Sequence, residues 1–142
     1  MEVSDVRRRL RAAIEAGREA AAARRDRSDT ATRDYETFLE KHAAPVFHQF
    51  ATVLTGEGHP FKVFTPAGAV RLASDRSADE FIELSLDPST DPPEVSARIS
   101  RGRGRRMVTS ERPLQQGTPI AELTEEHVAA LLLEELPAFL QR

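Results

Sequence analysis

The sequence predicts an α+β protein with one long kinked or two N-terminal helices, a four- to five-stranded antiparallel β-meander, and a C-terminal helix packed on the sheet. Three observations predict it. Residues 3–54 hold no proline except Pro45 and no glycine except Gly17, while small or apolar residues recur at steps of three and four. From Phe61 onward the period shortens to two, in short runs separated by Pro, Gly and Asp. Beyond Leu123 the helical spacing returns. The chain of 142 residues fits one domain, divided into a helical region over 1–56, a sheet over 60–110 and a final helix over 123–141.

In the first region Ser4 or Asp5 can cap the helix start by accepting from an orphan amide. Val3, Val6, Leu10, Ala13, Gly17 and Ala20 follow heptad spacing, the signature of a coiled-coil seam. The phase blurs from Arg24 to Thr32 and resumes at Ala31, Tyr35, Phe38, His42, Val46, Phe50 and Val53. Two structures fit. One is a nearly continuous helix of about fifty residues, roughly 75 Å long at about 1.5 Å per residue. The other is a hairpin broken near Asp26–Thr32, with Ser28, Asp29 or Thr30 capping the second helix, although no Gly or Pro marks a turn there. Pro45 is expected to kink the second segment, because it lacks an amide donor and crowds the carbonyl four residues back. Gly56, Gly58 and Pro60 then stop the helix.

The strands read in order as Phe61–Thr65, Ala69–Ala73 after a Pro66–Gly68 turn, Glu80–Leu86, Val95–Ser100 and Arg106–Ser110. In the third, Ile82, Leu84 and Leu86 share one face, with Phe81, Glu83 and Ser85 on the other. Asp87–Pro93 is a loop, and Gly102 and Gly104 supply the freedom a hairpin turn needs. Pro113–Leu123 reads as an extended linker. Thr124 then caps the last helix, with Glu125 and Glu126 suiting its positive N-terminal end. Val128, Leu131, Leu132, Leu136, Phe139 and Leu140 form its stripe, which Pro137 must bend or end.

Composition narrows the function. The chain has no Cys, which excludes disulfides, thiolate metal sites and cysteine nucleophiles and fits a cytoplasmic protein. No run is long and apolar enough to span a membrane. Glu2, Asp5, Glu15 and Glu19 argue against an organelle transit peptide. The basic residues are nearly all Arg, the bias of a GC-rich bacterial genome. With 39% hydrophobic and 30% charged residues, the balance suits an elongated molecule or one with a partner-covered face. Arginines dominate from Arg7 to Arg33, and glutamates dominate the C-terminal stretch.

Nothing points to catalysis, a cofactor or a metal. His42 and His48 lie on opposite sides of a helix, His59 sits in a turn, and His127 opens the last helix; none has ligand-pair spacing. No nucleophile elbow is present, and Gly102–Arg103–Gly104 lacks the rest of a phosphate-binding turn. Adjacent acids such as Glu134 and Glu135 splay around their helix. The expectation is a small soluble, non-enzymatic interaction or adaptor protein, homodimeric through its N-terminal helices, with another protein as the other kind of partner. Leu10, Ile14, Tyr35 and Phe38 are its expected contacts, because a seam rich in Ala and Gly buries little alone. The alternative is a nucleic-acid-associated protein contacting phosphates through Arg98, Arg101, Arg103, Arg105 and Arg106. It is the less favoured, since no aromatic residue is interleaved for base stacking and the net charge is −3.

Overall fold

The computed structural model describes residues 1–141. Helix α1 runs over Val3–Phe38, passes through a π turn at Leu39–Ala43 and continues as α2 over Ala44–Gly56. Strands β1 (Phe61–Phe64), β2 (Val70–Ser74), β3 (Phe81–Asp87), β4 (Glu94–Arg103) and β5 (Arg106–Pro113) follow, then a 3₁₀ turn at Ile120–Glu122 and helix α3 over Glu125–Leu140. The five strands form one antiparallel sheet in the order β1-β2-β3-β4-β5. The α+β reading therefore holds, with five strands in a plain meander.

The expected break near Asp26–Thr32 does not exist: α1 runs straight through it. Without Gly or Pro nothing forces the chain out of the helix, and Ser28, Asp29 and Thr30 do not act as caps. Thr32 instead donates its hydroxyl to the carbonyl of Ser28 at 3.0 Å, satisfying itself within the helix. The irregularity lies at Leu39–Ala43, immediately before Pro45. Pro45 has no amide to return to Lys41, and the backbone relaxes into the wider i→i+5 turn.

That turn changes which residues are buried. A straight helix would continue the stripe through His42, Phe50 and Val53. Val46 of that stripe is buried as expected, but the other buried residues are Ala43, Phe47 and Leu54, each one position later, while Val53 is 64% exposed. The π turn absorbs one residue without advancing the helix phase. Counted that way at about 100° per residue, Tyr35, Ala43, Phe47 and Leu54 fall within a wedge of roughly 40°. Both halves thus point the same face at the sheet.

On the sheet this face meets Val70 and Leu72 of β2, Ile82 and Leu84 of β3, and Val95, Ala97 and Ile99 of β4. Helix α3 closes the layer with Val128, Leu131, Leu132, Leu136 and Phe139, and the rings of Phe61 and Phe139 meet edge to face at 6.3 Å. Pro137 lies inside α3 without ending it, because buried Leu136 and Phe139 hold the helix on both sides. The segment after β5 is less of a free linker than its composition suggests: Leu114, Ile120 and Leu123 are buried anchors.

The opposite sheet face carries no helix. Its register places Arg71 beside Glu83, Glu83 beside Arg98, and Arg98 beside Glu111. Charges of alternating sign on neighbouring strands attract across the sheet. Arg71 reaches Glu83 at 3.1 Å and lays its guanidinium 3.9 Å from the Phe81 ring centroid. Phe81 and Glu83 are consequently buried even though they point away from the core. The centre of this face is thereby covered, while Phe64 and Met107 stay 51% and 47% exposed on its two edge strands.

Candidate interaction surface

The outer part of α1 is not covered by the sheet. No residue between Val3 and Thr30 is buried. The strand registers and the core leave this stretch, roughly 40 Å of helix at about 1.5 Å per residue, without a sheet beneath it. Val3 is 72% exposed, Val6 46%, Leu10 57% and Ile14 46%. Large apolar side chains at such exposure, aligned on one helix face, form a contiguous apolar strip in water.

Of the expected contacts, Leu10 and Ile14 lie on this strip. Tyr35 and Phe38 do not, being only 4% and 2% exposed in the chain's own core. Burial by the sheet makes them structural residues rather than a surface for a partner. Tyr35 is pinned further by donating its hydroxyl to the carbonyl of Gly68 in the β1–β2 turn. Burial pushes its phenol up to about 12, with Glu83 adding to the shift.

The base of the exposed helix is held by an ion pair that sequence alone does not reveal. Arg27 donates Nε and Nη2 to the two carboxylate oxygens of Asp91 at 2.8 and 2.9 Å. The partners are far apart in sequence, and Asp91 sits in a Pro-rich loop with no periodicity to announce it. The hydrogen bond from Arg27 holds the Asp91 carboxyl below its usual range. Beside this pair lies a cleft of about 600 Å³, lined among others by Asp26, Ala31, Pro93 and Ile120. Its lining includes no histidine.

The β4–β5 hairpin places the other expected residues. Gly104 takes a φ of 64° at its tip, the left-handed region glycine adopts without strain. Arg103, Arg105 and Arg106 are exposed there, as is Arg98 further down the strand, and Arg101 is half-buried. Among the described residues none of the five forms a salt bridge. Arg98 instead stands 5.9 Å from the Phe81 ring centroid. The hairpin brings Arg103 and Arg106 opposite each other in register, while the strip on α1 belongs to the other end of the topology.

The histidines have local duties. His127 accepts the backbone N–H of Thr124 on Nδ1 at 3.0 Å, closing the first turn of α3. His42 packs its ring against Phe38 and points Nδ1 towards Glu125 at 3.9 Å. Among the described residues no group of three or more His, Cys, Asp or Glu is placed to hold a metal ion, and no helix is long and apolar enough to cross a membrane. Comparison with known protein families, with curated proteins and with solved structures finds no match to this chain.

Proposed function

We propose that this chain is a non-enzymatic interaction module that homodimerises through the N-terminal half of α1, in the manner of a short coiled coil. The observation that carries the reading is the strip of Val3, Val6, Leu10 and Ile14, roughly half exposed and covered by nothing in the subunit. Apolar surface of this kind is lowered in free energy by contact with more of the same. The open sheet face is the lesser candidate, because Arg71 pairs with Glu83 across its centre and its exposed apolar side chains, Phe64 and Met107, stand apart on opposite edge strands. A cysteine-free, arginine-rich chain fits the reducing cytoplasm of a bacterium.

The strip is thin, and association repays its entropic cost only with a modest surplus. A dissociation constant on the order of micromolar is expected. Sedimentation equilibrium on the wild type should give a dimer at roughly tens of micromolar, and Leu10→Asp with Ile14→Asp should give a monomer with unchanged helicity per body. A wild-type chain that stays monomeric at that concentration would remove this reading.

A second reading rests on the arginines of the β4–β5 hairpin, which form no salt bridge among the described residues. Cations at a narrow tip suit phosphate contacts, and binding to nucleic acid would then weaken steeply with salt. The excess of acids elsewhere in the chain keeps it second.

A further inference from the structure

We infer that the second copy lies antiparallel on the first, its helix filling over residues 3–28 the layer that the body fills from Ala31 onward. This rests on the self-association proposed above and adds its geometry. At about 100° per residue, the exposed Val3, Val6, Leu10 and Ile14 and the buried Ala31, Tyr35 and Phe38 all fall in one wedge of roughly 120°. The face of α1 that leans on the sheet is therefore the face that is bare further out.

That shared face decides the orientation. A parallel partner along the strip would carry its own sheet on the side facing the first helix. Two bodies would then claim the same space beyond Ala31. An antiparallel partner places its body beyond the opposite end, and its N-terminus stops where the first body starts. Only this arrangement covers both strips in full.

Side-chain size agrees. The bulky residues Val3, Val6, Leu10 and Ile14 lie in the outer half of the bare stretch, and Gly17, Ala20 and Ala21 in the inner half. Parallel pairing would set large against large, and would leave the small residues facing one another across a gap. With the first buried residue at Ala31 as the limit, antiparallel pairing sets Leu10 opposite Ala21 of the second copy and Ile14 opposite its Gly17. A side chain can approach Gly17 freely, since nothing lies within 4 Å of its Cβ position. Charge agrees as well. A parallel pair sets Arg7, Arg8, Arg9 and Arg11 against their own copies, whereas the antiparallel register sets them against Arg24, Ala23, Ala22 and Ala20 of the second copy, so that only Arg7 of the four meets a like charge.

The chain has no Cys, so single cysteines report without background. Leu10→Cys and Ala21→Cys variants, one carrying a size tag, are treated with a short bismaleimide separately and as an equimolar mixture. The expected result is a mixed covalent dimer in the mixture, at several times the yield of either variant alone. Strong cross-linking of Leu10→Cys with itself, and no gain on mixing, would establish the parallel pair and overturn the inference. A sedimenting dimer that cross-links in neither arm would overturn it too, by placing the contact elsewhere. A monomer in sedimentation strikes the self-association reading itself, so the two failures are told apart.

Discussion

The hydroxyl of Tyr35, on the last turns of α1, donates to the carbonyl of Gly68 in the turn between β1 and β2. This is a direct polar link between the long helix and the edge of the sheet. Tyr35 is also the one tyrosine in the chain, which has no Trp, so its titration can be followed by absorbance without interference. Burial raises the phenol to about 12. A raised folded value means the folded chain holds the proton more tightly than the unfolded chain. Its contribution is therefore complete below the ordinary tyrosine range and is lost as the pH rises towards about 12. The phenolate band should appear late, together with unfolding. Tyr35→Phe should cost about 1 kcal/mol at neutral pH, read by urea melts, and should flatten the alkaline limb.

The body and the bare part of α1 should respond differently to truncation. Phe47 is fully buried, and Phe47→Ala should destabilise by about 3–5 kcal/mol through the cavity it leaves. Deleting residues 2–24 removes no buried side chain. The shortened chain should keep its cooperative thermal melt at a low concentration, where the wild type is monomeric. A collapse of the melt in that variant would show that the helix is needed by its own body.

Arg112 ties β5 to α3, donating to the two carboxylate oxygens of Glu134 at 3.1 and 3.0 Å. The hydrogen bonds from Arg112 hold the Glu134 carboxyl below its usual range. A depressed folded value contributes stability above the ordinary glutamate range, and that stability is lost as the pH falls through the depressed value. Glu134→Gln should make the acid limb of the stability curve shallower while changing little at high salt, where an exposed pair is screened. Denaturant melts across the acid range check both.

On the hairpin, changing Arg101, Arg103 and Arg105 together to Ala should leave stability within about 0.5 kcal/mol, because none forms an ion pair among the described residues. If the chain binds nucleic acid, the same variant should lose that binding and its salt dependence, as measured by fluorescence anisotropy. Retained binding would take the hairpin out of the second reading.

Much of this fold was legible because its local signals agree. Alternation placed β3 and β4, short apolar runs beside turn residues placed β1, β2 and β5, and the helical spacing after Leu123 placed α3. The errors have definite physical sources. The stretch Asp26–Thr32 looked like a break because its residues are helix-indifferent, but indifference does not end a helix that has no Gly or Pro in it. Past Phe38 the expected stripe kept Val46 but otherwise gave way to Ala43, Phe47 and Leu54, since periodicity assumes a constant turn and Pro45 widens one. For the interaction surface, the strip through Leu10 and Ile14 was readable from heptad spacing. Tyr35 and Phe38 share that spacing, so sequence alone could not tell which part of the strip the sheet would cover. The Arg27–Asp91 pair left no trace in the sequence, because two charges distant along the chain show no pattern until the fold joins them.

The widened turn before Pro45 has a mechanical consequence. It works as an indexing step, with one spare residue setting the rotation of everything upstream of it relative to everything downstream. A deletion within Leu39–Ala43 would use up that spare residue and leave both faces aligned, whereas a further inserted residue would turn the outer helix about its own axis by roughly 100°. Tyr35 would swing off the sheet or Phe47 would, and the loss of a cooperative melt would register either. Insertions here are therefore not neutral, whereas additions at the far end of α1, beyond Val3, leave the alignment untouched.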